Sequence, residues 1–295
     1  MTGVLNRAPE PARAECVAVR PGFARTGVGV LVLTLAMAAG SVCAAAPAPP
    51  KLSPAAQRAV YADKPEQVEK LAESNPLDFL RLALKWSDDR VTDYTCQFLK
   101  QEKIDGEIHE PELMTMKLRV KVFSIYVRWI GDYAKGQEAL FVDGQNDGKV
   151  IAHPSGFVGF FVHNVRIDPS GKTALKHSRR PLTNGGMANM LRLIIPQCEH
   201  AKTNGDLALT YEGIREQDGR PCYVFKRVLP NKFDYPCPVL AIFIDRQFLT
   251  CIRTDAYDWD GSLLSQYIYS NLVINPGLTD ADFDADNRDY GFRFF

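Results

Sequence analysis

Apolar and polar side chains alternate strictly along residues 114–122. Met114, Met116, Leu118, Val120 and Val122 fall on one side, and Thr115, Lys117, Arg119 and Lys121 on the other. Successive side chains of a strand point to opposite faces, so this period of two predicts a strand with one dry face and one charged, wet face. Tyr94, Cys96 and Phe98 alternate in the same way, and Lys100 and Glu102 end that otherwise apolar face. Residues 138–142 and 149–153 flank DGQNDG, a run of turn formers that predicts a hairpin. Residues 94–153 therefore read as consecutive antiparallel strands. Strand patterns resume at 207–211, 222–229, 239–245, 249–258 and 264–274. Several strands at this spacing predict one curved antiparallel sheet.

Helical signals occur in three places. Ser53 is placed to cap a helix opened by Pro54, which Lys64-Pro65 interrupts. Asn75-Pro76 repeats the start signal and predicts a stronger helix to about Arg90, with Leu77, Leu80, Leu84 and Val91 near one face. Asn184-Gly185-Gly186 opens a third, MANMLRLII, in which Met187, Met190, Leu191 and Ile194 share a face; Pro196 follows as its expected stop.

The N-terminus changes the picture from a fold to a compartment. Arg7, Arg13, Arg20 and Arg25 precede an apolar run at 27–40, a length that suits an export signal and is short for a membrane span. Val42 and Ala44 sit correctly for a cut after Ala44. An uncleaved anchor is the competing reading, and acylation at Cys43 another, although Val42 and Gly40 depart from the acylation pattern. The expected organisation is a signal peptide at 1–44, a Pro/Ala linker at 45–54, and one domain at 55–295 with a helical lead-in to residue 91. The mature protein is expected in the periplasm.

The chain has 295 residues, 46% of them hydrophobic, with 35 basic and 35 acidic side chains. Zero net charge disfavours a nucleic-acid partner or an extended acidic one. Five of the seven cysteines (Cys96, Cys198, Cys222, Cys237 and Cys251) fall in the expected mature chain. An oxidising compartment permits disulfides, five leave at least one thiol free, and the pairing stays open. Buried small hydrophobes are the plainer reading for Cys96 and Cys222.

Candidate chemistry adds little. Asp280, Asp282 and Asp284 have the spacing of a calcium loop, but Ala285 stands in place of its glycine and Gly291 in place of its bidentate Glu. A solvated turn anchored by Phe283 fits better. Gly171-Lys172-Thr173 lacks a phosphate cradle, because Arg166 stands where its first glycine belongs. The five histidines lack ligand spacing; His153 reads as a rim residue or a hydrogen-bonded core histidine. No catalytic constellation, metal site or cofactor is expected.

A run of words along the chain carries a resemblance. They are Tyr94-x-Cys96-x-Phe98-x-Lys100-x-Glu102, Ser124-Ile-Tyr126-Val-Arg128-Trp129, Gly136-Gln137-Glu138, GQNDGK at 144–149, Gly219-Arg220-Pro221-Cys222, Ala256-Tyr257-Asp258-Trp259 and Asn275-Pro-Gly277-Leu278-Thr279-Asp280-Ala-Asp282-Phe283. Over roughly residues 77–295 the chain resembles an uncharacterised bacterial domain-of-unknown-function family, itself similar to the lipoprotein carriers LolA and LolB. The resemblance implies an α+β fold: an incomplete antiparallel barrel whose open side is plugged by helices, with an apolar cavity between them. It implies a periplasmic binding protein, acting as a monomer, that holds a lipid, an acyl chain or a lipoprotein anchor. Periodicity nominates Leu80, Leu84, Phe98, Met116, Leu118, Met187, Met190 and Leu191 as cavity walls. Lys100 and Glu102 read either as gate residues at its mouth or as a solvated strand end or ordinary ion pair. Tyr126 and Trp129 read as cavity wall or sheet packing. An envelope sensor or scaffold of the RseB type, bound to another envelope protein, is the alternative, and an envelope hydrolase a more distant one.

Overall fold

The computed structural model describes residues 65–156, 164–232 and 235–292. The expected export signal, Cys43, the expected linker, the expected helix start at Ser53 and His163 lie outside them. Helix α1 spans Pro65–Ser74 and α2 spans Pro76–Arg90. The junction follows the sequence signals: Pro76 opens α2, and the Asn75 side chain caps it by accepting the Asp78 N–H at 3.2 Å. The buried face of α2 holds Leu77, Phe79, Leu80 and Ala83, while Leu84 is half-buried.

Twelve strands form one antiparallel sheet that does not close into a barrel. They are β1 Asp93–Ile104, β2 Glu107–Ile108, β3 Glu112–Arg119, β4 Ser124–Trp129, β5 Glu138–Val142, β6 Val150–His153, β7 Val165–Ile167, β8 Ala208–Gln217, β9 Arg220–Val228, β10 Val239–Asp245, β11 Cys251–Tyr257 and β12 Leu263–Ile274. The spatial order is β7-β6-β5-β4-β3-β1-β12-β11-β10-β9-β8, with β2 paired to β1 beside this path. Most neighbours in sequence pair as hairpins, while β1 pairs with β3 as well as with β2, and β7 and β8 lie at opposite edges. The β1–β12 ladder is long-range and joins the N-terminal and C-terminal halves through pairs such as Phe98 with Tyr269 and Lys100 with Tyr267. The DGQNDG hairpin forms between β5 and β6. Between β7 and β8 lie a short helix, α3 (Lys172–Leu175), and the long α4 (Met187–Thr203).

Two sequence expectations are corrected. Helix α4 does not stop at Pro196 but runs through it to Thr203. Pro196 is exposed, whereas Cys198 and Ala201 are fully buried beyond it and continue the stripe of Met190, Leu191, Ile194 and Ile195. Burial of that stripe outweighs the hydrogen bond that proline deletes. Strand β3 ends at Arg119 rather than Val122. The Val120 N–H still donates to Thr92 O at 2.8 Å, one step past the Asp93–Arg119 pair, but the β3–β4 ladder ends at Arg119 and Ser124, and Val122 is exposed in the turn that follows.

The sheet is covered on both faces. Its dry face meets α2 and α4 in the main core, where Phe79 packs edge-on against Tyr223 and tilted on Phe225. On the opposite face, Tyr126, Leu140, Val142 and Ile151 are roofed by Phe283, Tyr290 and Phe292 of the C-terminal segment. The charged face of β3 is thereby partly covered. Lys117 pairs with Asp282 at 2.9 Å and Arg119 with Asp280 at 2.6 Å. The Asp-rich turn is a short 3-10 helix at Asp280–Phe283, capped by Thr279 and anchored by the buried Phe283. Among the described residues no cluster of His, Cys, Asp and Glu is arranged to hold a metal.

Candidate ligand cavity

A helix whose N-terminal amides face the core needs acceptors there. In α4 no capping side chain supplies them; the sheet does. The Tyr269 hydroxyl accepts from Gly186 N at 3.2 Å and the Tyr94 hydroxyl from Met187 N at 3.1 Å. Gly186 adopts φ 116° and lies so close to Leu118 that an added Cβ would meet its Cδ1 at 2.9 Å. Only glycine fits this seat. The start of α4 is therefore pinned to β1, β3 and β12.

Beyond this seat α4 and the sheet part, leaving a cavity of 630 Å³. The sheet contributes Phe98 of β1, Met114 and Met116 of β3, Val127 and Trp129 of β4, Ala139 of β5, Leu240 of β10, and Tyr267 and Tyr269 of β12. Facing them are Met190, Leu193, Ile194 and Gln197 of α4 and the segment leading to it, including His177, Arg179, Arg180 and Leu182. The wall alternates along β3 and β4 as the pleat requires, so Val127 and Trp129 face inward while Tyr126 stacks on Tyr290 outside, ring centres 3.9 Å apart. Tyr133 and Val165, both exposed, mark the mouth with Arg179 and Arg180.

Of the eight nominated wall residues, Phe98, Met116 and Met190 line the cavity. Leu80, Leu118, Met187 and Leu191 are packed in the core, and Leu84 lies against it. Leu80 and Leu84 sit on α2, whose Phe79 packs against β9. Leu118 and Met187 flank the tight α4 seat, where no space is left. Periodicity selects the inward face but does not distinguish filled core from open wall. Trp129, read as either wall or packing, is wall. His153 also borders the cavity, with its ring against Gly291 of the C-terminal segment. Tyr267, Tyr269, Leu193 and Arg227 went unnominated. The two tyrosines were legible through the 264–274 strand pattern; Arg227 has no sequence signal, because an arginine in a strand reads as solvated.

Lys100 and Glu102 also line the cavity; Glu102 is buried and Lys100 half-buried. Lys100 lies 2.8 Å from its cross-strand partner Glu112 and 3.6 Å from Glu102, and donates to His177 O at 3.3 Å. Glu112 accepts from Trp129 Nε1 at 2.7 Å; Glu102 accepts from Arg179 N at 3.0 Å and from the Tyr267 hydroxyl. Burial, then the Glu102 charge, pushes the Tyr267 phenol up. This network is internally satisfied.

Arg227 is not. It lines the cavity from β9 and is only 1% exposed. Its Nη2 donates to Cys237 Sγ at 3.1 Å, its Nε has no partner, and among the described residues no carboxylate forms an ion pair with it. The five cysteines Cys96, Cys198, Cys222, Cys237 and Cys251 are all free and buried. Burial pushes the Cys198 and Cys237 thiols up although Arg227 opposes it, and pushes Cys222 up to about 12.

Solved structures similar to this chain include the MucA/MucB complex of Pseudomonas aeruginosa (14% identity, TM-score 0.44, 71% of this chain and 60% of that one). Others are lipoprotein LppX of Mycobacterium tuberculosis (14%, 0.40, 68% and 96%) and a LolA superfamily protein of Nitrosomonas europaea (13%, 0.28, 70% and 97%). Likenesses at these identities and TM-scores carry no functional argument. No curated protein matches the chain. The sequence profile of the protein family of unknown function DUF1571 matches residues 91–292, more than half of the chain, and this chain belongs to that family.

Proposed function

We propose that this protein is a periplasmic binding protein that holds an acyl chain, of a lipid or a lipoprotein anchor, between the sheet and α4. The observation that supports this reading is the 630 Å³ cavity, walled by methionine, aromatic and aliphatic side chains. That volume lies within the range of small-molecule sites. Burial of each acyl methylene contributes about 0.8 kcal/mol, and the unbranched, polarizable side chains of Met114, Met116 and Met190 adapt to chains of differing shape. The reading assigns no catalysis. The buried carboxylates Glu102 and Glu112 are engaged with Lys100, Trp129 and Tyr267, and burial holds the thiols in the poorly nucleophilic protonated form.

Intact-mass measurement of the protein purified under non-denaturing conditions, together with uptake of a fluorescent fatty acid, tests the proposal. Co-purified lipid, or saturable uptake at one site per chain, is expected. Absence of both would sink it. A second reading, an envelope sensor or scaffold, draws on β8. Among the described residues this ten-residue strand has no partner on its outer edge, where another chain can add a strand. A partner crosslinked to β8 while the cavity stays empty would favour it.

A further inference from the structure

Among the described residues that line the cavity, Arg227 is a buried charge without an ion-pair partner. Four cations line it, Lys100, Arg179, Arg180 and Arg227, against two carboxylates, Glu102 and Glu112. Both carboxylates lie beside Lys100. Arg227 sits four strands away in the same register row, through Leu240, Ala256 and Ser265 to Glu102. It is 1% exposed, has an unpartnered Nε and makes no ion pair among the described residues. Its sulfur neighbours do not neutralise it, because burial keeps Cys237 and Cys198 protonated. Arg179 and Arg180, exposed at the mouth, act on the Cys237 thiol in the same sense as Arg227 and add to the positive field there.

An unpaired buried guanidinium is costly, and a leucine or methionine at this position would pack without that cost. Its planar fork of donors matches a carboxylate or a phosphate. We infer that the ligand is an anionic amphiphile whose carboxylate or phosphate pairs with Arg227 while its acyl chain extends along the apolar wall. The inference rests on the acyl-cavity reading and names its chemical class.

Competition against a fluorescent fatty acid bound to the full chain tests it, with dodecanoate, dodecyl phosphate, dodecanol and inorganic phosphate as competitors. The two anionic amphiphiles are expected to bind roughly tenfold or more tighter than dodecanol, as a charge-assisted hydrogen bond supplies. Arg227→Met should erase that difference by weakening the anions while leaving dodecanol unchanged, and Arg227→Lys should retain part of it. Near-UV circular dichroism establishes that each variant is folded. Equal binding of dodecanoate and dodecanol by the unmodified protein overturns the inference without recourse to any variant. Inorganic phosphate competing as well as dodecyl phosphate also overturns it, assigning the site to a free anion. Binding of none of the four overturns the acyl-cavity reading as well.

Discussion

Burying a polar atom without a partner costs folding free energy, so Arg227 should weaken the fold in the absence of a ligand. Arg227→Met removes both the unpaired charge and the orphan Nε and keeps most of the side-chain volume. It should stabilise the ligand-free protein by about 1–3 kcal/mol, read as a raised urea midpoint at unchanged slope. The buried thiols make a second statement at this scale. Cys222 ionises near its ordinary value of 9.0 when unfolded and near 12 when folded. A raised acid binds its proton in the folded state after the unfolded state has lost it. Stability is therefore fully present below pH 9 and falls as pH rises from there toward 12, by about 1.4 kcal/mol per pH unit for such a thiol. Urea midpoints should be flat from pH 6 to about 8.5 and fall by pH 10.5. Substitution of Cys222 by Ala should reduce the fall.

At the element scale, helix and strand identities were largely legible, because amphipathic period and cap chemistry are local. Asn75-Pro76 marks the start of α2, and the alternation of Met114, Met116 and Leu118 marks the buried side of β3. The stop at Pro196 was not legible. Whether a proline ends a helix depends on what the residues beyond it bury, and Cys198 and Ala201 find the core only in the folded chain. Because Pro196 is exposed and helical on both sides, Pro196→Ala restores a backbone hydrogen bond at little packing cost. A gain of about 1–3 kcal/mol is expected in chemical denaturation, with helical circular dichroism unchanged or slightly increased.

For the described chain as a whole, the C-terminal segment is a second roof on the sheet. Asn275 ties it to the α2–β1 junction, donating to Arg90 O at 2.8 Å and accepting from Thr92 N at 2.8 Å. Asp93 accepts from Gly277 N at 2.9 Å and Leu278 N at 3.1 Å. Phe283 then fills the outer cluster beneath the Arg119 guanidinium, 5.1 Å from its ring centre. Phe283→Ala should cost about 3–5 kcal/mol of stability. Fatty-acid uptake per folded molecule should be retained, since the cavity lies on the opposite face; loss of uptake in a folded variant would show that the two faces are coupled.

The sequence by itself determined most of the strands but not β2 or β7, the main helices, the inward face of each and the family words, since these rest on local periodicity and on turn and cap residues a few positions apart. Tertiary structure alone decided three things. It sorted inward residues into filled core, as for Leu118 and Met187, and open wall, as for Met116 and Met190, because a void depends on how closely two elements approach. It made the charged face of β3 and the Asp-rich turn, more than 150 residues apart, each other's partners through Lys117–Asp282 and Arg119–Asp280. It also placed Arg227 inside without a counter-ion, because the β1–β12 ladder and its neighbours set which charges meet, and none of the described carboxylates reaches that end of the cavity.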